Sequence, residues 1–279
     1  MKSILLKTSV LTFSILLSLI TFENKNLDSN AQEFQGKAYY FSKSKMELGR
    51  WGARLSEEQK KQVAARMKNR LEKTYVLTFN KEESVFYEDE KLDAMSGATD
   101  SWGKNFTPGE QYKNVKSNSQ IQEQEFYGKQ FLVKDSLQPI QWKMGTETKN
   151  IGNYTCFKAT ASIPTNELTW YNFSWDRLRN NTATDSTAVE IKMTEVEAWY
   201  SPQIPVGHGP LEYWGLPGLI LEVSADNTTM LCSKIILNPE ETIEIVAPDK
   251  GKVVTKNEYQ KTIVEKMKEF RNNRGRRRG

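Results

Sequence analysis

The stretch Gly207-His208-Gly209-Pro210-Leu211-Glu212-Tyr213-Trp214-Gly215-Leu216-Pro217-Gly218-Leu219-Ile220-Leu221 sets turn formers and aromatics directly ahead of an apolar, strand-like run. Leu216-Pro217-Gly218-Leu219 fits a type II turn: proline presets φ near about −65° at the second position, and glycine takes the positive φ required at the third. Gly215, Pro217 and Gly218 are therefore expected to be turn-forming, and a strand is expected to start at Leu219. Glu222, between Ile220 and Val223, would share a face with Ile220, opposite Leu219, Leu221 and Val223.

Working outward, short runs rich in β-branched and aromatic residues recur on both sides. They are Gln35 to Lys45, Thr74 to Phe79, Glu83 to Glu88, Gln120 to Tyr127, Lys129 to Lys134 and Ile140 to Met144, then Tyr154 to Ile163, Tyr171 to Phe173, Val189 to Tyr200 and Met230 to Leu237. Most are joined by links too short for crossover helices, which implies antiparallel pairing. Two helices interrupt the pattern. Ser56 with Gln59 three residues on has the spacing of a capping box, and Leu55, Val63, Met67 and Leu71 follow on one side. Thr255 to Arg271 places Tyr259, Ile263, Met267 and Phe270 on one face. The fold class read from this is α+β: a large curved antiparallel β-sheet or incomplete barrel with two amphipathic helices. Helices on the concave side of such a sheet would leave an apolar hollow. Residues 89–109 form a long Gly-containing loop that reads equally as a lid or as a plain connection.

The chain starts with Lys2 and Lys7, followed by an apolar run from Val10 to Phe22 too short for a membrane span, and Ser29-Asn30-Ala31 gives the small-x-small pattern of a leader cut. Residues 1–31 are expected to be a signal peptide, 32–271 a single domain and 272–279 a basic disordered tail. The address implied is export, to the periplasm or cell envelope or beyond. The formal charge of +4 falls to +3 without the leader's three lysines, one glutamate and one aspartate. Five arginines lie in Arg271–Gly279, and without them the body is −2. That balance gives no reason to expect specific nucleic-acid binding, although the tail could touch an anionic surface. Cys156 and Cys232 are the only cysteines, and an even pair in an exported chain favours a disulfide.

Residues able to carry chemistry are few. His208 is the sole histidine, and its two flanking glycines suggest an accessible imidazole titrating near neutral pH. One imidazole with two bridged cysteines falls short of a metal site, so neither metal nor cofactor is expected. Glu195 and Glu197 alternate along one strand and so point the same way, as a glycosidase pair would or as a wet, cross-strand-paired face would. Trp199, Tyr200, Tyr213 and Trp214 bracket the Gly/Pro loop. They read either as a plug at the sheet's end or, with His208 and Pro217, as a surface that grips a ligand or partner.

Tyr213 to Leu221, centred on Gly215-Leu216-Pro217-Gly218-Leu219-Ile220, resembles the signature of the GLPGLI family of exported Bacteroidetes proteins. Ala198-Trp199-Tyr200-Ser201-Pro202, Ile204-Pro205 and Gly209-Pro210 look like its lead-in, and Ile151-Gly152-Asn153-Tyr154-Thr155-Cys156-Phe157-Lys158-Ala159 like its other common block. With the N-terminal helix and Phe131-Leu132-Val133-Lys134-Asp135, the likeness spans residues 32–271. That family has no established activity, so the resemblance transfers no catalytic residue. More loosely, the pattern is similar to the incomplete barrel of outer-membrane lipoprotein carriers, a likeness of fold alone. The functional expectation is a non-enzymatic exported protein. It would bind an apolar or amphipathic ligand, or an outer-membrane or envelope protein, through its curved sheet and loop 207–218. The alternative is an envelope hydrolase using His208 or the Glu195/Glu197 pair.

Overall fold

A computed structural model describes residues 34–45, 52–89, 107–173 and 191–276. Twelve strands form one sheet: β1 (Gln35–Ser44), β2 (Glu72–Asn80), β3 (Glu83–Glu88), β4 (Gln111–Asn114), β5 (Ser119–Phe126), β6 (Lys129–Ser136), β7 (Lys143–Ile151), β8 (Tyr154–Pro164), β9 (Met193–Ser201), β10 (Leu219–Ala225), β11 (Thr228–Leu237) and β12 (Lys252–Val254). Their order is β12-β6-β5-β4-β3-β2-β1-β11-β10-β9-β8-β7, open at β12 and β7. The sheet is mixed, not purely antiparallel: β12 runs parallel to β6, while the other pairings are antiparallel. Sequential neighbours form a meander on each side, and the two meanders meet where β1 pairs with β11.

Helix α1 (Glu57–Arg66) begins as its sequence predicts, with Ser56 and Gln59 forming the reciprocal capping box. Two single turns, α2 (Lys68–Leu71) and α3 (Thr165–Leu168), follow α1 and β8. Helix α4 (Lys256–Arg276) buries Tyr259, Ile263 and Met267, as the periodicity predicts. It runs to Arg276, so residues 272–276 are helix where a disordered tail was expected. None of the described helices is long and apolar enough to cross a membrane. The leader expected at 1–31 and most of the 89–109 loop lie outside the described residues.

Register fixes which residues share a face. One row runs Ala38–Leu77–Phe86–Gln111–Gln122–Val133 across six strands, all buried. The next runs Gly36–Phe79–Ser84–Lys113–Gln120–Asp135. This inner face is apolar over β1 to β3 and turns polar at β4 and β5, where buried Gln111, Lys113, Gln120, Gln122 and Gln124 stand side by side. Phe126, Phe131 and Val133 restore an apolar surface beneath α4, packed with Trp170, Val254 and Tyr259.

The alternate row, Lys37–Thr78–Val85–Tyr112, defines the outer face. The chain between β11 and β12 has to cross β1 to β6, seven interstrand steps of about 4.8 Å each. Its residues 238–251, at no more than roughly 3.3–3.6 Å apiece, make that distance only if largely extended. They pass over the outer face as a strap, and Val76, Thr78 and Val85 are buried.

Cys156 and Cys232 are free, buried thiols, not the expected disulfide. Strands β8 and β11 are separated by β9 and β10, which puts three interstrand steps between the cysteines along the sheet. A disulfide tolerates a Cα separation of about 7 Å at most. Burial pushes the Cys156 thiol up to about 11 and the Cys232 thiol up to about 12, so both behave as small apolar residues.

Candidate functional site

Two regions gather unusual chemistry, one on each face. On the inner face, the loop joining β9 to β10 turns inward and fills the hollow that the sequence suggests. Its own backbone closes it through Gly215 N to Gly207 O at 2.9 Å and Leu219 N to Ile204 O at 2.9 Å. Across from it, the Nζ of Lys113 on β4, fully buried, donates to the carbonyls of Gly209 at 2.7 Å, Leu211 at 2.6 Å and Tyr213 at 3.4 Å. Tyr40 OH on β1 donates to Ile220 O at 2.7 Å. Burial lowers the Lys113 pKa to about 7, against the opposing field of Glu212.

Glu212 is the centre of this region. Its Oε1 accepts from Trp170 Nε1 at 2.9 Å, Gln111 Nε2 at 3.0 Å and Gln120 Nε2 at 3.3 Å, while Lys256 Nζ at the start of α4 lies 3.5 Å from Oε2. One carboxylate therefore ties the loop to β4, β5, the segment after α3, and α4. The glutamines continue the chain of contacts, with Gln111 donating to Gln122, Gln122 to Gln124 and Gln124 to Thr107 O. Ser84 Oγ, Gln111 Oε1, Gln120 Oε1 and His208 Nδ1 are buried without a hydrogen-bond partner among the described residues.

The residues singled out from sequence fall into place around this plug, and several readings are corrected. His208 is fully buried, not accessible: its Nε2 meets Asn80 O at 3.1 Å. Burial, reinforced by nearby Lys113, depresses its pKa to about 3, so it stays neutral rather than titrating near neutral pH. Gly218 is outside the positive-φ region, so the 216–219 segment is not a type II turn; positive φ occurs at Gly215, at 89°. Gly218 is required for a different reason: a Cβ there would sit 2.3 Å from Ser201 O. Tyr213 is buried and Pro217 exposed. Trp214 is half-buried, donating to Gln138 O at 2.9 Å while its carbonyl accepts from Trp142 Nε1 at 2.8 Å.

Trp199 is buried on β9, with Lys149 4.2 Å over its ring and its Nε1 bonded to Glu197 at 2.9 Å. Tyr200 is also buried and packs against Phe157. Glu195 accepts from Ser162 at 2.6 Å, and Glu197 pairs with Lys158 at 3.1 Å. The Trp199 bond and the Lys158 partner hold the Glu197 carboxyl below its usual range, opposite to what a general acid needs. The described residues contain no group of three or more potential metal ligands among His, Cys, Asp and Glu.

On the outer face, strap and sheet enclose a groove of about 470 Å³ lined by Lys37, Tyr39, Thr78, Val85, Tyr87 and Glu110 from the sheet side. Ile236 and, from the strap, Pro239, Glu241, Thr242, Ile243, Glu244 and Val246 complete it. Gln35 pins the strap at one end, donating to Glu241 O at 3.4 Å and accepting from Ile243 N at 2.9 Å. Burial, reinforced by Glu123, raises the Glu110 pKa.

Residues 142–222 match the family described as "Protein of unknown function (Porph_ging)". The match runs from Trp142 through the plug to Glu222 and so contains β7 to β9, the whole inner loop and the start of β10. No curated protein matches the sequence. Among solved structures, the chain is similar to PNGF-II in a C2 crystal form at a TM-score of 0.46 and 12% identity, covering 82% of this chain and 32% of that one. PNGF-II in a P21 form gives a TM-score of 0.40 and 14% identity, covering 80% and 31%. The chain thus spans about a third of the length of those structures.

Sequence reasoning missed Glu212 and Lys113 altogether. The available signal was the alternation Gln120-x-Gln122-x-Gln124, which puts three amides on one face of one strand. Buried amides in a row call for hydrogen-bonding partners, and Glu212, inside the quoted loop, was a charged group able to supply one.

Proposed function

We propose that this is an exported, non-enzymatic binding protein of the GLPGLI type, resident in the periplasm or cell envelope, which holds an amphipathic ligand in the outer groove. The groove carries the reading. It is the size of a small-ligand site and sets Tyr39, Tyr87, Val85 and Ile236 beside Lys37, Glu110 and Glu241, a half-apolar, half-charged lining. The signature at 215–220 and the leader-like residues 1–31 support the family name and the address. Burial of His208, with its depressed pKa, and the ion pairing of Glu197 favour binding over hydrolysis. Because loop 207–218 is spent inside the fold, the ligand site lies under the strap instead of at the loop. The C-terminal arginines would assist contact with anionic envelope surfaces.

The test is native and denaturing mass spectrometry of the full chain, produced with its leader and purified gently from the periplasm. Extra mass that leaves on denaturation, and that is lost in a folded Tyr39→Ser/Tyr87→Ser variant, is the expected result. A bare chain under native conditions that also takes up no added ligand, or a ligand retained equally by that variant, overturns the groove as the binding site.

A further inference from the structure

The strap carries a feature that a plain connection does not require. From Thr242 to Ala247 its residues alternate in burial, Thr242, Glu244 and Val246 being exposed and Ile243, Ile245 and Ala247 half-buried. That is the period-two pattern of a β-strand. Yet the backbone groups of residues 244–247 take no hydrogen-bond partner among the described residues, and the contacts that hold the strap come from Gln35 at its beginning. An extended segment with unpaired N–H and C=O groups is a template for another strand.

The charge beside it is one-sided. Glu110, Glu241 and Glu244 line the groove together with Lys37, and no ion pair within 4.0 Å engages any of the four among the described residues. The Tyr39 and Tyr87 rings lie in the same groove, and Lys234 already sits 5.4 Å over Tyr39. Aromatic faces of this kind attract cations.

We infer that the occupant of this groove is an extended basic peptide, added as a strand along residues 244–247. Its backbone would pair with the strap, and its lysine or arginine side chains would meet Glu110, Glu241 and Glu244 over the tyrosine rings. Alternate apolar side chains of the peptide would lie against Val246 and Ile236. The inference rests on the groove being the ligand site and adds the chemical class of what enters it.

The test uses the full folded chain and three labelled decapeptides in fluorescence anisotropy: alternating lysine and valine, alternating glutamate and valine, and the lysine peptide with alternate amides N-methylated. The expected result is saturable binding of the first, at least tenfold tighter than either of the others and weakened by added salt. A Glu241→Gln/Glu244→Gln variant should lose at least fivefold in affinity for the lysine peptide at unchanged thermal midpoint. Equal affinity for all three peptides, no loss on N-methylation, or no effect of the double variant overturns the proposal. If native mass spectrometry retains a small amphiphile in the groove while the lysine peptide fails to bind, the peptide inference falls and the groove reading stands. If nothing is retained and nothing binds, both fall.

Discussion

The two faces of this sheet are covered in opposite ways. On the inner face the β9–β10 loop is held at its carbonyls by Lys113 and at its one carboxylate by four donors. On the outer face the strap is anchored by Gln35 and leaves a run of backbone without hydrogen-bond partners among the described residues, beside an open groove. The loop that stands out most in the sequence is thus built into the core, and the plain stretch Glu241-Thr242-Ile243-Glu244-Ile245-Val246 is the part on which the proposed binding rests. A well-marked sequence motif need not be a functional surface: burying a loop demands specific residues because each of its polar groups has to be matched.

Glu212→Ala should have the largest effect, because it leaves Lys256 buried without its partner and strands the donors of Trp170, Gln111 and Gln120. A loss of about 3–5 kcal/mol in chemical denaturation is expected, with part of it recovered in Glu212→Leu/Lys256→Met. A loss under about 1 kcal/mol for Glu212→Ala would mean that the plug is not what holds the inner face.

Acidity should act on the same face. The folded His208 value of about 3 lies below the ordinary 6.5, so between these the unfolded state holds a proton that the folded state does not. Stability contributed by neutral His208 is complete above pH 6.5 and falls as pH drops, by about 1.4 kcal/mol per pH unit. Lys113 extends the trend: its folded value of about 7 lies below 10.5, so stability rises with pH across that window. Thermal midpoints of His208→Phe that follow the same acid limb as the parent would refute the assignment for the imidazole.

Gly218→Ala should cost about 1–3 kcal/mol, since its Cβ would press on the backbone oxygen of Ser201, which cannot swing away. Reduction should do nothing: a thiol reductant is expected to leave the thermal midpoint unchanged, with Cys156 and Cys232 labelled by a thiol reagent only upon unfolding. Among the substitutions the smallest effect is expected of Val246→Ser on the strap, which should shift stability by less than about 0.5 kcal/mol, because that side chain is already 58% exposed. A large loss there would make the strap as structural as the plug.

Much of the fold was legible from local chemistry. The capping box at Ser56, the strand Glu83–Glu88 and the buried stripe Tyr259, Ile263 and Met267 each rest on a pattern contained within a few residues. What was illegible depends on distant partners. Strand β7 is almost wholly exposed and polar, so it has no apolar alternation and owes its existence to pairing with β8. Tyr171–Phe173 has strand-like composition but follows α3 as coil and packs against the α4 core instead of entering the sheet. The readings of His208 and the cysteines failed for one reason: flanking glycines and residue parity say nothing about which strands come between two positions, or what folds over them. The inner polar centre was hidden because Lys113, Glu212 and Lys256 come from three remote parts of the chain.

The pairing of β1 with β11 carries a kinetic consequence. Ser233 donates to Tyr39 O across 194 residues of chain, so the strand at the start of the described fold finds its second neighbour only when most of the chain is in place. Closing so long a loop precedes any reward from the contacts it permits, which slows folding. Until then β1 exposes an unpaired edge. A chain leaving the ribosome, its amino-terminal end first, would carry that open edge until Thr228–Leu237 appears in its last third.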